Sequence, residues 1–497
     1  MSGVRLLVVA VALAVAAVGV WRGTWAIGGS DSSCYALMAA AFAGGHLQPT
    51  TSLAEAPWPD APRTFAPGGF VPSPNRRDAA SPICTPGFSL LLAPLVAIGG
   101  RDAIFLLTPI AGALLVWLTF LFGRQLAGPN VGAAAALVVA ASPVFVFQVV
   151  QPMNDVAVAA VWMAVMVLAA RPQDHSGWIG ALTGLAILIR PNLAPAAIVI
   201  ALWSLTGGVR SFLWFGAGAA PFALVVGFFN AVLYGHPLQS GYGSAVDLFA
   251  ARYAAANVQN YGRALLETQL GFPLIGGLAL AVAPAHLRRV VALALGLTAS
   301  VAIVYLFYKP FPEWWYLRFL LPVLPMMVAL AMASLVFATR RPRVVWPVMA
   351  IVVVFAVTTE AMGQAMDLHR LERRFRTVGM LARDRLPTNA VFITVWNSGS
   401  VRYHADREAI LWDSMDPASL DLAVAWLSAR GLEPYLVVEE WEEPIFRDRF
   451  AGHSALADLD WPPRHRVPTG VRIFRASDRA RYMTGETIPT EIAWDGR

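Results

Sequence analysis

Lysine is almost missing from this chain: of 37 basic residues only Lys309 is a lysine, and the rest are arginines. Charge of either sign is scarce, at 14% of 497 residues, where soluble domains carry about a quarter. The net charge of +6 does not describe a nucleic-acid-binding face, because many of the arginines stand at the ends of apolar runs. Nucleic acid is therefore not an expected partner. Cysteine is limited to Cys34 and Cys84, and no CxxC or HExxH occurs, which argues against a structural zinc site or zincin chemistry. No GxxxxGK[ST] or GxGxxG loop is present, so a nucleotide-binding role has no support.

What the chain has in excess is hydrophobicity, at 57% of residues. A bilayer core needs about 20 apolar residues per helical crossing, and such stretches recur from the N-terminus to about residue 361. They carry Gly and Pro freely, as membrane helices do. The short alternating segments of an outer-membrane barrel are absent. The expected fold is an all-α polytopic membrane bundle with a small α/β C-terminal domain. Val4 to Val20 reads as a retained signal anchor rather than a cleaved signal peptide, since no small-residue cleavage site follows it. Further segments are expected at about 87–100, 103–122, 131–150, 156–170, 178–189, 193–206, 211–233, 271–286, 290–308, 319–338 and 344–361.

Arg288-Arg289 and Arg340-Arg341-Pro342-Arg343 mark the cytoplasmic side, and Arg124, Arg171 and Arg210 agree. Parity then requires one segment not to cross. Segment 87–100 is short and crowded by Pro82, Pro86 and Pro94, so it reads as re-entrant or interfacial. About 11 crossings remain. Asp31, Asp155, the loops at 234–270 and 308–318, and the C-terminus all fall outside the cytoplasm, and the expected location is a bacterial inner membrane.

Two domains are expected: residues 1–370, with an outer loop at 21–86, and residues 371–497. From Leu371 charges become dense. Ala390 to Val395 and Tyr435 to Val438 read as strands, and Leu420 to Leu427 as a helix. Cys34 and Cys84 fall in or beside the first outer segment, where they can pair in an oxidising compartment; Cys34 reads equally as a small buried hydrophobe.

Asp31, in Gly28-Gly29-Ser30-Asp31-Ser32-Ser33-Cys34-Tyr35, has two readings: a helix N-cap, or a carboxylate that removes a proton from an acceptor hydroxyl at the membrane's outer edge. Arg190 lies inside an apolar run on the outer side, where the positive-inside rule gives no reason for arginine, and this favours function. Arg318, near Glu313 and Trp314-Trp315, reads either as functional or as part of an interfacial belt. Asp155 is either a helix-capping or a site carboxylate. Tyr242, Tyr253 and Tyr261 read as interfacial anchors, and His46, His236 and His404 as surface or loop histidines.

Asp31 and Tyr35 after a first membrane helix resemble the GT-C superfamily of lipid-phosphate-sugar-dependent glycosyltransferases, which includes protein O-mannosyltransferases and aminoarabinose lipid A transferases. The proline-led stretch Ser81 to Pro94, Asn154-Asp155 heading a helix, Gly184 to Asn192 with its Leu-Ile-Arg-Pro turn, and Tyr316-Leu317-Arg318-Phe319-Leu320-Leu321-Pro322 are similar to further family segments, in the family's order. Two positions depart from it: Ser32 follows Asp31 where many members have Glu, and His46 follows Gly45 where members often have Asp. A divalent metal thus lacks a second carboxylate beside Asp31.

The resemblance implies transfer of a sugar from a polyprenyl-phosphate donor to a lipid, glycan or protein acceptor. Asp31 would be the base and Arg190 and Arg318 the phosphate ligands; Asp155, Glu313 and Tyr35 are candidate second acidic or acceptor-site residues. Membrane lipid is the other expected partner. The alternatives are a flippase or transporter of lipid-linked saccharide and a non-catalytic assembly subunit.

Overall fold

The computed structural model describes residues 3–171 and 174–493. Among these, four helices are long and apolar enough to cross a membrane: Gly3–Trp21, Arg101–Ala127, Val209–Tyr234 and Ala285–Leu306. Four bent pairs, Pro129–Ala140 with Pro143–Val149, Ala251–Gln269 with Phe272–Val282, Trp314–Leu320 with Leu324–Thr339, and Pro342–Thr358 with Glu360–Asp384, raise the number to eight if each is one span. Pro86–Gly99, Asn154–Ala169, Ser176–Ile189 and Pro191–Leu205 are shorter apolar helices. At 1.5 Å per residue the 14-residue Pro86–Gly99 helix reaches about 21 Å, less than a hydrocarbon core of about 30 Å.

Small residues let these helices close up. A methyl group added at Gly180 would sit 2.0 Å from the Phe215 carbonyl oxygen, and one at Gly218 would sit 2.1 Å from that of Gly177. Helices Ser176–Ile189 and Val209–Tyr234 therefore pack backbone to backbone, the arrangement that lipid, which lacks a hydrophobic driving force, rewards. On the same long helix Leu213, Trp214, Leu224 and Phe228 are exposed and form a face suited to lipid.

The segment after Trp21 is ordered around the Gly29–Ala43 helix and an antiparallel pair, β1 (Phe70–Pro72) and β2 (Ala80–Pro82). A disulfide joins Cys34 to Cys84. It ties the first turns of the Gly29–Ala43 helix to the stretch leading into Pro86–Gly99.

Helix Glu360–Asp384 runs through Leu371, where the composition changes, and leads into a sheet. Its strands are β3 (Ala390–Ile393), β4 (Ala409–Ile410), β5 (Glu433–Glu439), β6 (His465–Val467), β7 (Val471–Arg475) and β8 (Glu491–Ile492), in the order β4-β3-β5-β7-β6-β8. β3 runs parallel to β4 and β5, whereas β5 pairs antiparallel with β7, Leu436 opposite Phe474. Along β5, Leu436 and Val438 enter one apolar layer with Leu420, Leu427 and Phe446, while Tyr435 and Val437 enter another with Val378 and Phe392. A strand buried on both faces reads as a continuous apolar run. The first of these layers also takes Leu53, Trp58 and Phe65 from the segment after Trp21. Trp58 packs edge-on to Trp426, and the Leu411 amide donates to the Thr64 carbonyl.

Candidate functional site

The Gly29–Ala43 helix starts from Gly28, and no side chain caps it. The Asp31 capping role is thus corrected: Asp31 sits inside the first turn, where the amino-terminal end of the helix favours a carboxylate. Ser33 Oγ donates to the Gly29 carbonyl at 2.5 Å, and Ser32 Oγ donates to that of Gly28. These serines bond their own helix and leave Asp31 free to face across the molecule. Gly28 packs where a side chain has no room, since an added methyl would lie 2.3 Å from Phe375 and Glu372. Tyr35 follows one turn later, edge-on to Phe88.

Asp155 is likewise in the first turn of Asn154–Ala169 without capping it, and it is fully buried. Its partner is Arg190, whose Nη1 lies 2.8 Å from Asp155 Oδ1. Arg190 is where Ser176–Ile189 ends, with φ −145° and ψ 82°, because the following Pro191 disfavours a helical conformation before it. The Ile189 carbonyl freed by the break accepts from Thr85 Oγ1 at 2.7 Å and Asn154 Nδ2 at 3.3 Å. The turn is thereby held against two other segments with Arg190 projecting inward.

Arg318 comes from the tight helix Trp314–Leu320. Its Nη2 donates to Asp31 Oδ2 at 2.9 Å, and its Nη1 lies 3.7 Å from Asp155 Oδ2. Asp31, Arg318, Asp155 and Arg190 thus alternate in charge along one chain of contacts. Asp31 is the most open member, with 38% of its side chain exposed against 0% for Asp155.

Asp31, Arg190 and Arg318 meet at a cavity of about 470 Å³ that also includes Tyr35, Asn192, Tyr242 and Tyr305 in its wall, with Asp155 behind the arginines. Tyr305 stacks on Phe319 at 4.8 Å, and Phe311 on Tyr316 at 4.1 Å. The Arg190 guanidinium lies 5.6 Å from the Phe319 ring and that of Arg318 lies 5.3 Å from it, within cation–π range. Asn192 Nδ2 donates to the Tyr305 hydroxyl at 2.9 Å. Arg318 Nε is buried with no hydrogen-bond partner, so a cationic donor remains for an anion that enters.

Of the residues singled out in the sequence, Asp31, Tyr35, Asp155, Arg190 and Arg318 converge. Glu313 is exposed and stands outside the cavity wall, and Arg318 pairs with Asp31 and Asp155 instead. Tyr242 is a wall residue rather than an interfacial anchor, and Tyr261 is buried. His404 is buried as well, against the surface position expected for it. Tyr305 and Tyr308 were missed: nothing in their local sequence separates them from ordinary helix-end aromatics. Among the described residues no group of three or more His, Cys, Asp or Glu side chains converges.

Residues 83–230 match the family of dolichyl-phosphate-mannose-protein mannosyltransferases, a stretch that includes Asp155 and Arg190. No curated protein matches the chain in sequence. Solved structures do match in fold. ArnT from Cupriavidus metallidurans in the apo state gives a TM-score of 0.60 at 13% identity, over 95% of this chain and 97% of that one. ArnT bound to undecaprenyl phosphate gives 0.57 at 14% identity, over 91% and 96%. The apo oligosaccharyltransferase of Archaeoglobus fulgidus gives 0.56 at 12% identity, over 95% of this chain and 74% of its own.

Proposed function

We propose that this multi-pass membrane chain, which shares its fold with the ArnT structures, is a GT-C glycosyltransferase that transfers a glycosyl group from a polyprenyl-phosphate donor to a hydroxyl acceptor. The observation that carries this reading is the Arg318 guanidinium shared between an accessible carboxylate, Asp31, and a buried one, Asp155. An acceptor hydroxyl oxygen attacks the anomeric carbon, the bond from that carbon to the phosphate oxygen breaks, and the hydroxyl proton passes to the Asp31 carboxylate. The leaving lipid phosphate takes the electron pair and meets Arg190 and Arg318, fixed cations in a water-poor site where such charges act most strongly. A direct displacement of this kind inverts the anomeric configuration. Asp155 is a positioning residue that sets both guanidiniums.

A phosphate at Arg318 competes with Asp31 for the same donors. Donor binding therefore releases the base at the moment it is needed. The undecaprenyl phosphate in the ArnT structure and the dolichol phosphate in an archaeal oligosaccharyltransferase complex support the donor class. The Cys34–Cys84 disulfide supports an extracytoplasmic position for the site, since such bonds persist in oxidising compartments. The same reading places residues 371–497 outside a bacterial inner membrane as a second domain.

Purified protein given polyprenyl-phosphate-linked sugar should transfer it, and protein given nucleotide sugar without lipid carrier should not. Efficient transfer from the nucleotide sugar would overturn the assignment. For topology, a fluorescent protein that matures only in the cytoplasm should stay dark when fused after Arg497, and a bright fusion would reverse the orientation.

A further inference from the structure

A second cavity, also about 470 Å³, opens at the carboxyl ends of the three mutually parallel strands. Val395 and Trp396 follow β3, Trp412 and Asp413 follow β4, and Trp441 and Glu442 follow β5, and all line it. In the order β4-β3-β5 the chain leaves β3 for one neighbour and returns to pair on its other side. That reversal opens a crevice above the strand ends, the usual ligand position in open α/β sheets.

Trp396 and Trp441 stand 5.7 Å apart between ring centroids at 69°, and they are 44% and 52% exposed. The Trp441 indole N–H donates to Glu439 Oε2 at 2.8 Å, which fixes its ring. Beneath them Glu442 is only 1% exposed. Its Oε2 accepts from the Glu439 amide at 2.9 Å, while its Oε1 has no partner. The Trp412 Nε1 is also buried and unpartnered. A buried donor and a buried acceptor without partners, under two open aromatic faces, call for a ligand that is apolar on its faces and polar at its edges. Sugar rings are built that way: axial C–H groups lie on indole faces and hydroxyls exchange hydrogen bonds at the rim. Asp413, Glu442 and Asp448 disfavour an anion, and Arg449 is engaged with the Trp412 and Met415 carbonyls.

We propose that this crevice binds a neutral saccharide and holds the glycan portion of the acceptor. Sugar binding stands on the crevice alone; its acceptor role rests on the transfer reading above. Position supports that role. Trp396 lies against Gly29, where an added methyl would be 3.7 Å from the indole, and Gly29 opens the helix that carries Asp31. Burial also pushes the Glu442 carboxyl up to about 7, so near neutral pH it both donates to and accepts from hydroxyls.

The test is saturation-transfer NMR and calorimetry on the full chain in sugar-free detergent, with neutral tri- to pentasaccharides of mannose, glucose, galactose and arabinose. At least one should bind with its C–H protons saturated, and Trp396→Ala and Trp441→Ala should each weaken it by at least about tenfold. Trp441→Phe, which keeps an aromatic face, should retain most of the binding, and Glu442→Gln should weaken it severalfold with the protein still folded. Asp31→Asn should leave it unchanged. No binding up to about 20 mM of any member, binding indifferent to Trp396→Ala, Trp441→Ala and Glu442→Gln alike, or protection of the two tryptophans by phosphatidylglycerol vesicles in place of sugars would overturn the proposal. Intact sugar binding by a protein that transfers nothing from a polyprenyl-phosphate-linked sugar would instead defeat the transfer reading and leave the crevice assignment standing.

Discussion

Arg318 Nη2 donates to Asp31 Oδ2 at 2.9 Å across 287 residues of sequence. The carboxylate proposed as base is therefore ion-paired before substrate arrives, and its release depends on what else reaches Arg318.

For Asp31→Asn the expectation follows directly. The amide cannot take the acceptor proton, so turnover should fall by at least about a hundredfold. Affinity for polyprenyl phosphate should stay the same or rise, because Arg318 loses a competitor. Turnover rates and lipid-phosphate binding measured on one preparation decide this, and near-normal turnover would return Asp31 to a purely structural role.

Asp155 should behave differently. It is fully buried beside Arg190, whose side chain is 11% exposed, and removing one partner of a buried pair strands the other charge, at a cost of about 3–5 kcal/mol. Asp155→Asn should lower both thermal stability and turnover, whereas Asp31→Asn should lower turnover alone. Unfolding scans of the two variants side by side check the contrast. Equal stability would mean that Asp155 does not hold the arginines.

The disulfide closes a loop of 50 residues that contains β1 and β2. Chain-entropy reasoning gives about 4 kcal/mol for a loop of that length. Cys34→Ser with Cys84→Ser should lower the unfolding temperature and weaken activity, since the tie anchors the helix of Asp31. Alkylation of native membranes without reductant should label neither cysteine; two labelled thiols would refute the link.

Two buried groups outside the bundle give opposite pH dependences. Burial, with Arg376 beside it, pushes His404 down from 6.5 to about 3, so the folded chain binds fewer protons there and stability is lost as pH falls from 6.5 towards 3. Burial pushes Glu442 up from 4.5 to about 7, so its contribution is present below pH 4.5 and is lost as pH rises to 7. Between about 4.5 and 6.5 the two slopes, each up to about 1.4 kcal/mol per pH unit, oppose one another. Glu442→Gln should therefore expose a rise of stability with pH across that window, and His404→Asn a fall. Thermal unfolding at a series of pH values reads both, and unchanged profiles would show that neither group titrates in this way.

Much of the bundle was legible because lipid imposes a simple demand. Every spanning backbone must satisfy its own hydrogen bonds, so apolar runs of sufficient length become helices. The stretch 193–206 thus appears as Pro191–Leu205, and 211–233 as Val209–Tyr234. Strands of the α/β part were read where both faces are apolar, as in β5, and missed where they are short, as in β4 with its two residues. The share of the segment after Trp21 in the sheet's apolar layer, through Trp58 and Phe65, left no local pattern at all.

The sequence by itself determined that this is a membrane chain, that a helix ends at Arg190-Pro191, and that Asp31 and Arg190 stand out chemically: hydrophobicity, proline and a charge in an apolar run are local quantities. Only the tertiary structure decided that Arg318 belongs to Asp31 and Asp155 rather than to Glu313, that Tyr242 and Tyr305 enclose the cavity, and that Trp396 and Trp441 share a crevice. Those are contacts between side chains tens to hundreds of residues apart, and their partners are chosen by packing of whole helices and strands, which no spacing along the chain encodes.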